Sequence, residues 1–272
     1  MAADTGWVPP GTDTGKASSA RVYDWWLGGD HNFLADRDAA RAMIAVHPAT
    51  RACARQNRAF LGRAIRYLAA EAGIRQFLDI GSGIPTARNV HQVAQEAAPG
   101  ARVVYVDSDE VAVGHSRLLL EGNPDAAVVQ ADLRDPAAIL EAHQTRRLID
   151  FTRPAGLLLA AVLHFVPDAD GPERILATLR GALAPGSYVV ISHGCRDARP
   201  EIAAVAENVY GSRVSAQPAL RTREQIARFF DGLTLVDPGL TWVAEWRPDD
   251  PADIPADASR DWGLAGVARY DG

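Results

Sequence analysis

A chain of 272 residues, 47% of them hydrophobic, is long enough for one large core or two small ones, and this composition excludes a fibrous or wholly disordered protein. Its formal net charge of −6 leaves no general footprint for nucleic acid or a membrane surface. No run approaches the ~18 apolar residues of a membrane span, and the N-terminus, with Asp4 and Asp13 among Gly, Thr and Pro, lacks the apolar centre of a signal peptide. Cys53 and Cys195 have no metal-ligand spacing and fit a reducing compartment, so the expectation is a cytoplasmic protein with no metal site.

Residues 1–19, rich in Gly, Thr, Ser and Pro, are predicted to form a flexible tail. The segment from Ala20 to Met43 is too aromatic for a linker, and Gly28-Gly29 predicts a turn between two short helices. Arg51, Arg55, Arg58, Arg63 and Arg66 read as a solvated helix face. Phe60, Leu61, Ala64, Ile65 and Leu68 mark a helix ending near Gly73. Strands are then predicted at 76–80, 102–106 and 127–130, with helices from Val90 to Pro99, over 110–121 and over 136–146. The continuous apolar run 156–163 suits a central parallel strand. A helix through Ile175, Leu176, Leu179 and Leu183 leads to a fifth strand, 187–192. Thr222 and Gln225 predict a capping box for a helix carrying Ile226, Phe229 and Phe230, before late strands at 233–237 and 266–270.

Five strand–helix alternations with short links predict an α/β, doubly wound, mostly parallel sheet in one domain. The late strand pair, with no crossover helix, makes one strand antiparallel. The chain therefore divides into the tail (1–19) and a single domain (20–272), itself a helical cap (20–75) on an α/β core (76–272).

Chemistry concentrates at the strand ends. The first strand closes on Asp79-Ile80-Gly81-Ser82-Gly83 and the second on Asp107, an arrangement in which glycines admit a ligand to the backbone and the second acid accepts ribose hydroxyls. The nicotinamide fingerprint wants a small residue where Thr86 stands, and Asp79 would repel a pyrophosphate. Asp79 suits a ligand with a cationic amine, such as S-adenosylmethionine, and Asp132-Leu133 at the third strand end is placed to meet an adenine. Each acid has a plainer reading as well, Asp79 as a turn cap and Asp132 as a helix N-cap.

Taken together, these residues resemble the class I S-adenosylmethionine-dependent methyltransferases. More closely, the chain is similar to a bacterial methyltransferase family of largely unassigned substrate that opens with Arg-x-Tyr-Asp-x-x-Leu-Gly-Gly-x-x-Asn, here Arg21, Tyr23, Asp24, Leu27, Gly28, Gly29 and Asn32. The Asn57-Arg58 pair, Tyr105-Val106-Asp107, Leu163-His164-Phe165-Val166, Pro238-Gly239 and Trp246-Arg247-Pro248 extend the likeness. The resemblance implies a seven-stranded Rossmann-like sheet, with the 21–32 segment folded over the cofactor as a lid. It implies cofactor contacts from Tyr23, Gly28, Arg58, Asp79, Gly81, Ser82, Gly83, Asp107, Ser108, Asp132 and Leu133. Trp25, Trp26 and Phe33 fit equally well as anchors of a docked helix. His164, after strand four, and His31, in the lid, are the candidate bases, with His193 behind them. Strand four lacks the Asn/Asp-Pro-Pro-aromatic ending common in glutamine and adenine methyltransferases, which leaves a small molecule as the expected acceptor. Two alternatives stay open at this level, a nicotinamide-dependent oxidoreductase and a cofactor-binding protein without turnover.

Overall fold

The computed structural model describes residues 8–86, 88–254, 260 and 262–272. Three helices precede any strand: α1 (Ser19–Leu27), α2 (Leu34–Val46) and α3 (Thr50–Arg66), the last running on into a π-helical turn over Tyr67–Glu71. Strands and helices then alternate: β1 (Gln76–Ile80), α4 (Val90–Ala97), β2 (Arg102–Asp107), α5 (Glu110–Leu119) and β3 (Ala126–Gln130). Next come α6 (Pro136–Glu141), α7 (His143–Leu148), β4 (Gly156–Ala160), α8 (Pro172–Gly181) and β5 (Ser187–Gly194). The chain ends with α9 (Pro200–Gly211), α10 (Arg223–Arg228), β6 (Thr234–Leu235), β7 (Thr241–Trp242) and β8 (Gly263–Tyr270).

The sheet runs β3-β2-β1-β4-β5-β8-β6, with β7 also paired to β8. All pairs among β1 to β5 are parallel, and every pair made by β8 is antiparallel, so among the described residues β8 is the one reversed strand. Among the described residues the sheet has eight strands rather than the expected seven, because Thr241–Trp242 adds a two-residue piece against Ala265 and Leu264.

Side-chain alternation along each strand feeds two separate cores. Phe77, Val103, Tyr105, Leu158 and Val190 pack toward α3 and α4, while Leu78, Ile80, Val104, Leu157 and Ile191 pack toward α7 and α8. The same alternation puts Asp79 on the Phe77 face, under α3. The sheet thus sets which helix the first acid meets.

Several boundaries differ from the sequence expectation. β4 stops at Ala160, because Ala161 turns into the left-handed region (φ 56°) and Leu163–Phe165 coils into a 3-10 turn. The predicted 136–146 helix breaks into α6 and α7 at Ala142, whose ψ of 137° is extended. β6 is shorter than 233–237 and β8 starts earlier than 266, at Gly263. The basic run is not a uniformly solvated face: Arg63 donates to the Trp246 and Val243 carbonyls at 2.8 and 2.9 Å. Of the predicted tail, residues 1–7 lie outside the described residues, and Ala17 is buried in a bridge with Val214.

Candidate active site

The β1 turn is built from glycine conformations. Gly81 (φ 71°) and Gly83 (φ 66°) both sit in the left-handed region, and a β-carbon on Gly81 would overlap the Val162 side chain. The turn is locked from strand two: Gly81 N and Ser82 N donate to the Val106 carbonyl at 2.8 and 3.1 Å, and Gly83 N donates to Asp107 Oδ2 at 2.7 Å. Asp107 Oδ1 takes the Asp109 N–H at 2.9 Å. Asp107 is therefore both a strand-end acceptor and the clasp that shapes the glycine turn.

Asp79 is 3% exposed and accepts no hydrogen bond among the described residues. Burial pushes its carboxyl up to about 7, against the opposing pull of the Arg58 guanidinium. Burial also raises Asp107, to about 6, although backbone N–H donors favour its charged form. Arg58 reaches Asn89 Oδ1 at 3.3 Å while its Nε is buried without a partner, as is Ser82 Oγ. Asp132 is held by Arg134, whose Nη2 lies 2.6 Å from Oδ2, and that pairing lowers its carboxyl below the ordinary range.

The N-terminal motif builds a self-contained turn. Gly28 is the left-handed C-cap of α1 (φ 90°), and a β-carbon on Gly29 would overlap the Asp24 carboxylate. Asp24 Oδ2 accepts from His31 N at 3.0 Å and Asn32 Nδ2 at 2.7 Å, and Arg21 pairs with buried Asp36 at 3.2 Å. One member, Tyr23, faces the cavity. Its hydroxyl donates to the Ala54 carbonyl and accepts from Asn57 Nδ2, both at 3.0 Å. Asn57 Oδ1 in turn accepts from Ser192 Oγ at 2.6 Å, and Ser192 Oγ accepts from Ala161 N at 3.0 Å. A buried relay thus runs from α1 through α3 and β5 to the strained turn after β4.

One continuous cavity collects most of the sequence-predicted residues. Its wall includes Tyr23, Arg58, Asp79, Gly81, Ser82, Gly83, Asp107, Ser108, Asp132, Leu133 and His164. Gly28 and His31 stand apart from that wall: Gly28 is occupied in capping α1, and His31 packs on His115, ring centroids 3.5 Å apart, with Nδ1 3.1 Å from Asp30. Trp26 lines the cavity with its indole N–H on the Ala40 carbonyl at 3.3 Å, whereas Trp25 lies under the Arg51 guanidinium, 4.1 Å away. His193 is fully buried, with Nδ1–H donating to the Gly194 carbonyl (2.8 Å) and Nε2 accepting a hydrogen bond from Arg221 Nη1 (2.9 Å), so neither nitrogen is available as a base. Beyond β4 the wall adds Phe165, from the Leu163–Val166 likeness, and Ala203, Ala206, Tyr210, Leu220 and Trp262, which converge from three further segments that no sequence pattern marked as part of a site. Among the described residues no cluster of His, Cys, Asp and Glu could hold a metal ion.

A parallel 3-2-1-4-5 sheet with a reversed strand beside β5, and a glycine turn flanked by acids at adjacent strand ends, defines an S-adenosylmethionine-dependent methyltransferase. The chain belongs to the S-adenosyl methyltransferase family, whose match spans residues 5–271. It is similar to a candidate methyltransferase of Thermobifida fusca YX, at 42% identity over 98% of this chain and 99% of that one, with a TM-score of 0.92. It is also similar to a DUF574 family protein of Streptomyces avermitilis MA-4680, at 41% identity over 95% and 99% of the two chains, TM-score 0.91. An O-methyltransferase family protein of Burkholderia thailandensis shares the fold at 16% identity, over 86% of this chain and 63% of that one, TM-score 0.52. No curated protein sequence matches the chain. The methyl donor is S-adenosylmethionine, and the site fits it: a buried acid without a hydrogen bond among the described residues, a turn whose two glycines both take left-handed backbone, and two buried polar atoms without protein partners. The oxidoreductase alternative finds no support. No helix among the described residues is long and apolar enough to cross a membrane.

Proposed function

We propose that this methyltransferase acts on a small molecule enclosed between the sheet ends and an N-terminal helical lid. One observation carries the reading. Tyr23 and Trp26 of α1, Asn57 and Arg58 of α3, and the acids of β1 and β2 line a single cavity, which continues past the β4 turn to α9. S-adenosylmethionine supplies a methyl group already activated on a sulfonium, so the protein's task is to hold two partners in line and exclude water.

Asp79 would pair with the donor's ammonium, and Arg58 with its carboxylate. Ser82 and the Gly81–Gly83 backbone would cradle its amino-acid end. Asp107 and Ser108 would meet the ribose, with the Asp132–Leu133 segment at the adenine. On this reading residues 20–75 act as the cap and 76–272 as the core of one domain. His164 is the candidate contact to the acceptor, and His31, seated against His115, serves the α1–α2 turn instead.

Isothermal titration tests the donor half. The protein is expected to bind S-adenosylmethionine and S-adenosylhomocysteine at one site, and Asp107→Asn to weaken both about tenfold or more, since a charge-assisted hydrogen bond contributes roughly 1.5–3 kcal/mol. Absence of binding, or equal affinity in the variant, defeats the reading.

A further inference from the structure

Parallel strands all start on the same side of a sheet, so residues far apart in sequence meet along that edge. At the edge remote from the glycine turn four arginines collect. Arg75 stands just before β1, Arg102 at the first position of β2, Arg153 ahead of β4, and Arg269 near the end of the reversed β8. All four line one cavity of about 340 Å³, the size of a small-molecule site. Gln76 and Tyr188 supply its other polar side chains, and among the described residues its wall contains no carboxylate. The five residues of β1, at about 3.3 Å each, set it roughly 17 Å from the candidate active site.

This edge is stapled from β1. Gln76 is 2% exposed, and its Nε2 donates to the carbonyls of Asp150 (2.7 Å), Arg153 (3.0 Å) and Pro154 (3.3 Å). Its Oε1 accepts from Asp150 N at 2.9 Å, so the backbone that carries Arg153 is fixed beside β1. Arginines here have a plainer use, because helices end at this edge and leave carbonyls to satisfy. Arg75 is partly spent that way, with Nη1 on the Ala69 and Ile74 carbonyls at 2.7 and 3.0 Å. Arg269 commits its Nε to Asp271 at 2.6 Å. Arg102 and Arg153 have no such duty: among the described residues neither guanidinium makes a hydrogen bond or an ion pair. Asp150 attracts both at a distance, but its Oδ1 already accepts the Thr152 N–H and hydroxyl.

Uncommitted guanidiniums on a concave wall without acids fit an oxyanion, which their planar forks of N–H donors match. Extent then decides between anions. Arg102 lies on β2 and Arg269 on β8, with β1, β4 and β5 between them, a span of four strand spacings or roughly 19 Å. A single phosphate or sulfate is too small to meet more than part of that row, whereas a chain of phosphoryl groups carries its charges along a line. We propose that this cavity is a second binding site, for an anionic chain of at least two phosphoryl groups, free or borne by a nucleotide. Arg102 and Arg153 are its principal contacts, with Arg75 beside them. The site is separate from the methyl donor's and does not rest on the methyltransferase reading.

Calorimetry on the full-length protein tests it, with S-adenosylhomocysteine present to keep nucleosides from the donor site. The probes are tripolyphosphate, ATP, adenosine and citrate. Tripolyphosphate and ATP are each expected to bind once per chain, with an affinity that falls as salt rises, and adenosine not to bind. Tighter binding of ATP than of tripolyphosphate assigns the site to a nucleotide, and equal or weaker binding to the free chain. Arg102→Gln and Arg153→Gln should each weaken both about tenfold, the loss of a hydrogen bond between charged groups. Arg174→Gln removes an exposed charge from α8, outside the cavity wall, and should change neither. Thermal unfolding without ligand reports folding, and if one cavity variant does not fold the other decides. Absence of tripolyphosphate binding, citrate binding as tight, indifference to both cavity substitutions, or an equal loss from Arg174→Gln overturns the site. Failure of S-adenosylhomocysteine to bind would overturn the methyltransferase reading alone, and the tripolyphosphate titrations would still decide this one.

Discussion

Asp79 is a carboxylate that the fold holds at the edge of ionisation. Strand alternation places it beneath α3, burial raises its carboxyl to about 7, Arg58 opposes that rise and Asp107 adds to it. In the unfolded chain the same group ionises near 4. The raised value means that the ligand-free fold loses stability as pH climbs from about 4 through 7, because an ionised carboxylate must then be kept buried. A cationic ligand reverses the preference, since it binds the ionised form. Donor affinity should accordingly rise with pH through about 7 and level off above it. Calorimetry at pH 6 in buffers of different ionisation enthalpy should register a proton released on binding. Asp79→Asn should abolish that release and weaken binding at pH 8 by roughly ten- to a hundredfold, the range of a hydrogen bond to a charged group. An affinity flat from pH 5.5 to 8 would remove Asp79 from contact with the donor's ammonium.

Between elements, the hydrogen-bond relay from Tyr23 to Ala161 ties α1 and α3 to the sheet. Asn57 joins two other elements, with one bond to α1 and one to β5. Asn57→Ala leaves Ser192 Oγ without its acceptor and should cost about 2–4 kcal/mol, the sum of lost bonds and an unsatisfied buried group. Ser192→Ala should cost about 1–2 kcal/mol, because Ala161 N retains the Ser192 carbonyl at 3.0 Å. As the two residues share a bond, the double variant should cost less than their sum in urea unfolding. Strict additivity would show that no relay couples them. The relay also marks where sequence reading stops. Asp79, Asp107 and Asp132 are legible because each interrupts or ends an apolar strand, a local contrast. Asn57 and Ser192 are 135 residues apart, and nothing local to either announces the other. The apolar run 156–163 hides the turn at Ala161 for a related reason: apolar residues fit a strand and a buried turn alike. In the Arg21-to-Asn32 motif the residues could be read, but not their work, because the motif is mostly spent on capping α1 and closing the turn into α2.

At the scale of the molecule, the helices proposed as the cavity roof come from segments on either side of the five parallel strands. α1 and α2 precede the sheet, α9 follows β5, and the Ala17–Val214 bridge joins the two regions beside the buried cluster of Val22, Ala39, Met43 and Tyr210. The sheet itself is the better insulated part, with apolar side chains packed on both faces of β1, β2 and β4. Local opening should therefore be easier in the roof than in the strands. A ligand bound between roof and sheet stabilises the closed state by mass action, about 2.7 kcal/mol at a hundred times its dissociation constant. For a chain of this length that corresponds to a rise in Tm of about 5 °C. The gain should be distributed unevenly. In hydrogen exchange, amides of α1, α9 and the glycine turn should slow on addition of S-adenosylhomocysteine, while those of β1, β2 and β4, already protected, should change little. If protection rises only at the strand-end turns and leaves α1 and α9 untouched, the N-terminal helices pack beside the donor without closing over it, and the lid reading fails even though the methyltransferase stands.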